Sequence, residues 1–175
     1  MHPTHARSLL LPVQTTCISS PFGPRVLPHH PQAGTYHYGV DLPASEGAPV
    51  LAAAPGAIMR IQNKGPGGLE VLVQHANFVG VYSHLGMIEP VLLNGKSTVT
   101  AGEKIGTVGH TGVTFGMHLY FAMLRGGAPV DPAPYLTLPV CSSAHQPSRT
   151  LVLDSNGKIA PTHFYQLERI QSAAR

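Results

Sequence analysis

The chain has 175 residues, a net charge of +3 with its histidines neutral, and only 11% charged residues. Hydrophobic content of 43% supplies one core and argues against disorder, while 19 glycines and 17 prolines suit a turn-rich β protein rather than a helical one. No basic cluster of the kind that tracks a nucleic-acid backbone occurs, aromatic residues make up 6%, and no run approaches the ~20 apolar residues of a membrane span, so a nucleic-acid partner and a membrane span are set aside.

In chain order, residues 1–15 read as a leader. Its apolar run Leu9–Leu11 stops at Pro12 and does not make a secretory signal, so the compartment stays open: the cell envelope or the exterior if another export route serves, otherwise the cell interior. His2, His5, His29 and His30 lie in Pro-rich stretches and read as surface residues. Strand patterns then follow at Val50–Ala54, Ala57–Gln62, Leu69–His75, Val79–His84, Lys104–Val108 and His118–Leu124. Turn signals fall at 64–68, at Asn94-Gly95 and at 109–116. His75 closes an alternating stretch and reads as a buried, hydrogen-bonded histidine. The tail, residues 139–175, reads as an extension with a hairpin on Asn156-Gly157 and a short amphipathic helix carrying Phe164, Leu167 and Ile170. The architecture expected is all-β, an antiparallel sandwich or flattened barrel with a groove on one sheet, over residues 16–138.

Cys17 and Cys141 bracket that domain, so one bridge clamping its two ends is the expectation for an oxidising compartment. Neither cysteine has Cys-x-x-Cys spacing, which argues against metal binding through sulfur.

The chemistry gathers in three segments: His37-Tyr-Gly-Val-Asp41, Tyr82-Ser-His84-Leu85 and His118-Leu-Tyr120. Catalytic zinc takes three protein ligands and keeps a fourth position for water, which it makes nucleophilic near neutral pH. In a straight strand four residues span roughly 13 Å, too far for two ligands of one ion, so the chain must bend between His37 and Asp41, with Gly39 permitting it. Positions 118 and 120 share one strand face, and Leu119 points to the core.

These segments, with Ile18–Arg25, Gly47–Val50, Ala53–Ala57, Val99–Gly106, Val108–Gly112 and Pro129–Pro132, resemble the lysostaphin/LytM-type zinc metallopeptidases, which cut peptide cross-links in bacterial cell walls. The resemblance runs from about Thr16 to Leu138. It implies the duplicated hybrid-motif fold, zinc as cofactor, peptidoglycan peptides as substrate and, for inactive members, a cell-wall amidase as a possible partner. It also implies roles: His37 and Asp41 as zinc ligands, His84 as stabiliser of the transition state, His118 as general base. Tyr120 falls where the third zinc ligand, a histidine, belongs, and Ala122 where the family often has Glu.

Three readings of Tyr120 stand open. Its phenolate ligates zinc, at the cost of deprotonating a group whose ordinary pKa is about 10. Alternatively His110, in the turn leading to the His118 strand, supplies the third ligand. Or the metal is lost and the groove only binds. Two functions follow: a module that binds peptidoglycan or regulates its hydrolysis, or an active zinc endopeptidase.

Overall fold

The computed structural model describes residues 9–26 and 34–142. The expected tail hairpin and helix, and the histidines at positions 2, 5, 29 and 30, lie outside the described residues. Twelve strands and two single-turn helices are described, and every strand pairing in the sheets is antiparallel. The short β1 (Gly23–Pro24) and β2 (Tyr36–His37) pair with each other. A three-stranded sheet runs β4 (Pro49–Leu51), β10 (Lys104–Val108), β8 (Leu85–Ile88). A seven-stranded sheet runs β12 (Ala128–Val130), β11 (His118–Arg125), β7 (Val79–Ser83), β6 (Leu69–His75), β5 (Gly56–Asn63), β9 (Thr98–Val99), with β3 (Val40–Pro43) pairing onto the start of β11. The all-β architecture of antiparallel sheets is the one expected.

The alternation of β6, β7 and β11 decides which face of the large sheet is closed. Val71, Val73, Tyr82, Leu119, Phe121 and Met123 are buried and join one hydrophobic cluster with Val50, Leu85, Ile105 and Val108 of the smaller sheet. Each such side chain contributes roughly 1.5–3 kcal/mol by leaving water. The opposite face of these strands and of β5 carries Tyr120, Leu72, Glu70 and Gln62, which are partly covered, beside Ser83 and Ala122, which are buried. That less covered face is the one that carries Tyr120.

His75 behaves as read from the sequence. It is buried, its Nδ1–H donates to Pro55 O at 2.9 Å, and its Nε2 accepts from the Tyr82 hydroxyl at 3.1 Å. That hydroxyl in turn accepts from Ala53 N at 2.9 Å. Burial lowers the His75 pKa despite the Pro55 and Ala54 carbonyls, and burial raises that of Tyr82 despite the Ala53 amide. Both groups therefore stay neutral, and the ring closes a polar gap in the core.

Cys17 and Cys141 are bonded across 124 residues of chain. Beside the bond, Ile18 N donates to Pro139 O at 2.8 Å and Cys141 N to Ile18 O at 2.9 Å. Residues that the sequence placed in the leader are also tied to the core: Leu10 N donates to Ala53 O, Leu51 N to Pro12 O, and Val13 is fully buried. The single-turn helices α1 (Pro90–Leu93) and α2 (Ala133–Leu136) and the strand β12 carry no clear periodicity and were not expected. The predicted strand Val79–His84 instead breaks at His84, where a left-handed residue turns the chain from the large sheet into β8 of the small one.

Candidate metal centre

The bend expected between His37 and Asp41 occurs at residues 38–39, between β2 and β3. The reason for glycine at position 39 is space rather than backbone freedom, since its φ is not positive. A Cβ there would stand 2.8 Å from the Tyr120 ring and 2.7 Å from Phe121 O. Tyr120 thus lies flat against the bend that brings the first two candidate ligands together. Asp41 and Tyr120 are direct cross-strand partners, and β3 is held from its other side by Ser19 N→Asp41 O and Asp41 N→Ser20 O.

Around Asp41 the histidines are oriented by backbone carbonyls. His37 Nδ1–H donates to Pro21 O at 3.0 Å, and His118 Nδ1–H donates to Gly116 O at 2.9 Å. Each ring therefore presents Nε2 to Asp41 Oδ1, at 3.2 Å from His37 and 3.4 Å from His118. In a neutral ring that Nε2 bears a lone pair, so the arrangement is built to share a proton or a cation. Arg25, not singled out as a site residue from sequence, lies 3.8 Å from Asp41 Oδ2 and donates to Ser20 Oγ at 3.0 Å. Burial alone would raise the Asp41 carboxyl. The His37 hydrogen bond and the charges of His118, His37 and Arg25 outweigh it and hold the pKa below the ordinary value.

His84 adopts a left-handed backbone at φ 63°, the conformation that turns its ring toward the site. Its Nδ1–H donates to Thr111 O at 2.9 Å, and the ring meets His118 edge-on at 5.0 Å. Burial, then the charge of His118, lowers its pKa against the Thr111 carbonyl, Asp41 and Glu70, so the imidazole is neutral. The Thr111 loop is itself pinned: Thr111 Oγ1 donates to Leu85 O, and Val113 N donates to Pro66 O.

His37 and Asp41 fit zinc. Bonds of about 2.0–2.2 Å in a tetrahedron separate neighbouring ligand atoms by roughly 3.3–3.5 Å, close to the 3.2 Å observed. The third position does not fit. Tyr120 packs its ring between His37 (5.3 Å) and His84 (6.0 Å), and its hydroxyl is pushed up to about 12 by burial and then by Asp41 and Glu70. His110 is exposed, with Nδ1 2.8 Å from Thr114 Oγ1. Among the described residues no group of three or more His, Cys, Asp or Glu is disposed to hold a metal ion. The residues present offer His37 and Asp41 at a ligand-like spacing, with the Tyr120 phenol packed beside them.

The row that carries Tyr120 extends further than the sequence reading went. Tyr120 pairs with Ser83 on β7, Ser83 Oγ donates to Glu70 Oε1 on β6 at 2.6 Å, and Gln62 Nε2 on β5 donates to Glu70 Oε2 at 2.6 Å. The alternation of Leu69–His75 was the available signal, since it sets Glu70, Leu72 and Gln74 on the face opposite Val71 and Val73.

Residues 35–132, more than half of the chain, match the model of Peptidase family M23. The chain belongs to that family. It is 40% identical over 124 residues, 69% of its length and 27% of the relative's, to the DD-carboxypeptidase/endopeptidase Mpg of Neisseria meningitidis serogroup B. It is 33% identical over 127 residues (72% and 29%) to the peptidoglycan DD-endopeptidase ShyA of Vibrio cholerae. To a lipoprotein NlpD/LppB homologue of Pseudomonas aeruginosa it is 32% identical over 105 residues (59% and 34%). The chain thus spans roughly a quarter to a third of the length of these curated relatives. Among solved structures, the catalytic domain of lysostaphin from Staphylococcus simulans matches with a TM-score of 0.59 at 29% identity, covering 69% of this chain and 91% of that one. A zinc-containing peptidase from Vibrio cholerae matches with a TM-score of 0.61 at 29% identity, covering 77% and 41%. Zinc is therefore the metal that family membership implies.

Proposed function

We propose that this M23 domain binds the peptide part of peptidoglycan in its groove and acts in cell-wall hydrolysis as a binding or regulatory module, without cutting. The observation that carries this reading is Tyr120: a neutral, partly buried phenol packed against Gly39 and His37, where the resemblance calls for a third zinc ligand. Catalytic zinc needs three protein ligands to hold the ion while leaving one position for water. The preserved histidines then serve as polar walls of a peptide groove. The Cys17–Cys141 bond supports work in an oxidising setting, which the cell envelope and exterior provide.

The test is metal content and turnover on the same wild-type sample, purified without chelator and dialysed against trace zinc. The expected result is no zinc that depends on His37 and no zinc-dependent release of fragments from purified cell wall, alongside measurable binding to it. Near-stoichiometric zinc lost in His37→Ala, together with fragment release, would sink the proposal.

One observation favours a second reading, an active metalloendopeptidase. His84 and His118 still stand ring to ring at 5.0 Å, with His118 Nε2 3.4 Å from Asp41. In that reading His118 takes the proton as general base and His84 stabilises the oxyanion.

A further inference from the structure

Asp41 and Glu70 both lie on the open-face row, and their surroundings differ. Asp41 has two imidazoles and the Arg25 guanidinium around it. Glu70 forms no ion pair among the described residues; its partners are two neutral donors, Ser83 Oγ and Gln62 Nε2. Neutral donors orient a carboxylate and leave its charge in place. The carboxylate is sheltered by a glycine: a Cβ on Gly67 would overlap Glu70 Oε1, although Gly67 has no positive φ to require glycine. Beside it, Gln62 Oε1 is a buried acceptor without a donor. Turning that amide over would set its oxygen against the carboxylate, so the orientation is fixed by Glu70. This corner of the groove therefore has acceptors to spare and lacks donors and positive charge.

We propose that Glu70 is the specificity residue of the groove, receiving a primary ammonium group from the side chain of a diamino acid in the bound stem peptide. An ammonium brings three donors, no acceptor and one positive charge, which is what the partly exposed Glu70 carboxylate lacks. Two rivals fit less well. A guanidinium binds best when its planar fork meets both carboxylate oxygens side by side, and here each oxygen is already held by a donor from a different strand. Calcium takes six to eight oxygen ligands and magnesium about six, far more than one carboxylate and one amide provide.

Placement suits the role. Two strand spacings, roughly 10 Å, separate Glu70 on β6 from Tyr120 on β11 along one row. Asp41 on β3 lies one spacing further along the row, roughly 14 Å from Glu70, so a stem peptide laid along the row reaches Glu70 with the side chain of a residue next to the part held at Asp41. This inference rests on the peptide-binding reading above and adds which peptides are taken.

The test uses calorimetry with two synthetic tetrapeptides, L-Ala-γ-D-Glu-L-Lys-D-Ala and the same peptide with the lysine ε-amine acetylated. Wild type is expected to bind the free-amine peptide about tenfold more tightly or better, the scale of one charge-assisted hydrogen bond. In Glu70→Gln, which keeps an acceptor for Ser83, the ratio of the two affinities is expected to fall to near one. Equal binding of both peptides by wild type overturns the inference and leaves groove binding standing, and this comparison needs no variant. A ratio unchanged in Glu70→Gln overturns it as well. Binding of neither peptide by wild type overturns both the inference and the peptide-binding reading beneath it.

Discussion

Replacing Tyr120 by histidine should build a zinc site beside His37 and Asp41. His37 Nε2 and Asp41 Oδ1 already stand 3.2 Å apart, and both are held by backbone partners, His37 through Pro21 O and Asp41 through Ser20. The third imidazole would rise from the residue directly paired with Asp41, on the same face. Losing even an outer partner of a metal ligand typically costs 10–100-fold in affinity, so gaining a ligand should tighten zinc binding by about a hundredfold or more. Without metal, Tyr120→His is expected to lose about 1 kcal/mol, because the ring that packs on Gly39 and His37 is removed. With free zinc at about 100 times the dissociation constant, binding returns roughly 2.7 kcal/mol. For a domain of this size that is a rise of roughly 8–10 °C in melting temperature. Thermal melts of wild type and Tyr120→His, with zinc and with chelator, read the difference directly. Two results would refute the reasoning: a zinc-dependent rise in wild type that disappears in His37→Ala, or a folded Tyr120→His with no zinc response.

Reduction of the Cys17–Cys141 bond should destabilise the domain by up to about 5 kcal/mol, the loop-entropy figure for a closure of this length; denaturant unfolding with and without reductant measures it, and an unchanged midpoint would show that the backbone pairing of Ile18 with Pro139 and Cys141 suffices alone. Gly39→Ala should cost about 1–3 kcal/mol by overpacking, since the new methyl meets the Tyr120 ring and Phe121 O; combining it with Tyr120→Ala should recover part of that loss, and a purely additive double variant would contradict the contact. Stability should also fall in mild acid through His75. Its pKa is lowered in the fold by burial, so the unfolded chain binds the proton first. The contribution is complete above the ordinary imidazole value of about 6.5 and is lost as pH falls toward the folded value. Melting temperatures from pH 8 to 5 should drop less steeply in His75→Gln, and parallel slopes would remove His75 from the account.

Much of the fold was legible because period-two alternation is unambiguous where one sheet face is closed. Leu69–His75 and Lys104–Val108 have the bounds that their patterns predict, and Leu119 is buried between two groove-facing neighbours. The elements that escaped prediction lack a periodic signal. A two-residue strand such as Thr98–Val99 or a four-residue helix such as Pro90–Leu93 is set by tertiary pairing. The break at His84 was hidden for a related reason: nothing local favours a left-handed histidine, and the backbone partners that hold it, Gly67 O and Gly109 N, come from two distant loops.

For the site, the sequence carried the residues whose spacing is tied to a bend or to a strand face, and His37, Asp41, His84, Tyr120 and His118 are brought together. It did not carry residues that become neighbours only across strands. Glu70, Ser83 and Gln62 are spread over more than twenty positions, and none stands out within its own strand. They meet because β5, β6 and β7 align them in one row with Tyr120. That row also gives Tyr120 a cause for staying neutral that its own segment does not contain. Glu70 and Asp41 flank the phenol from opposite sides, and each negative charge opposes the formation of another between them. A carboxylate at Glu70 therefore works against phenolate ligation at Tyr120, and it leaves an ammonium group as the charge this groove is best arranged to receive.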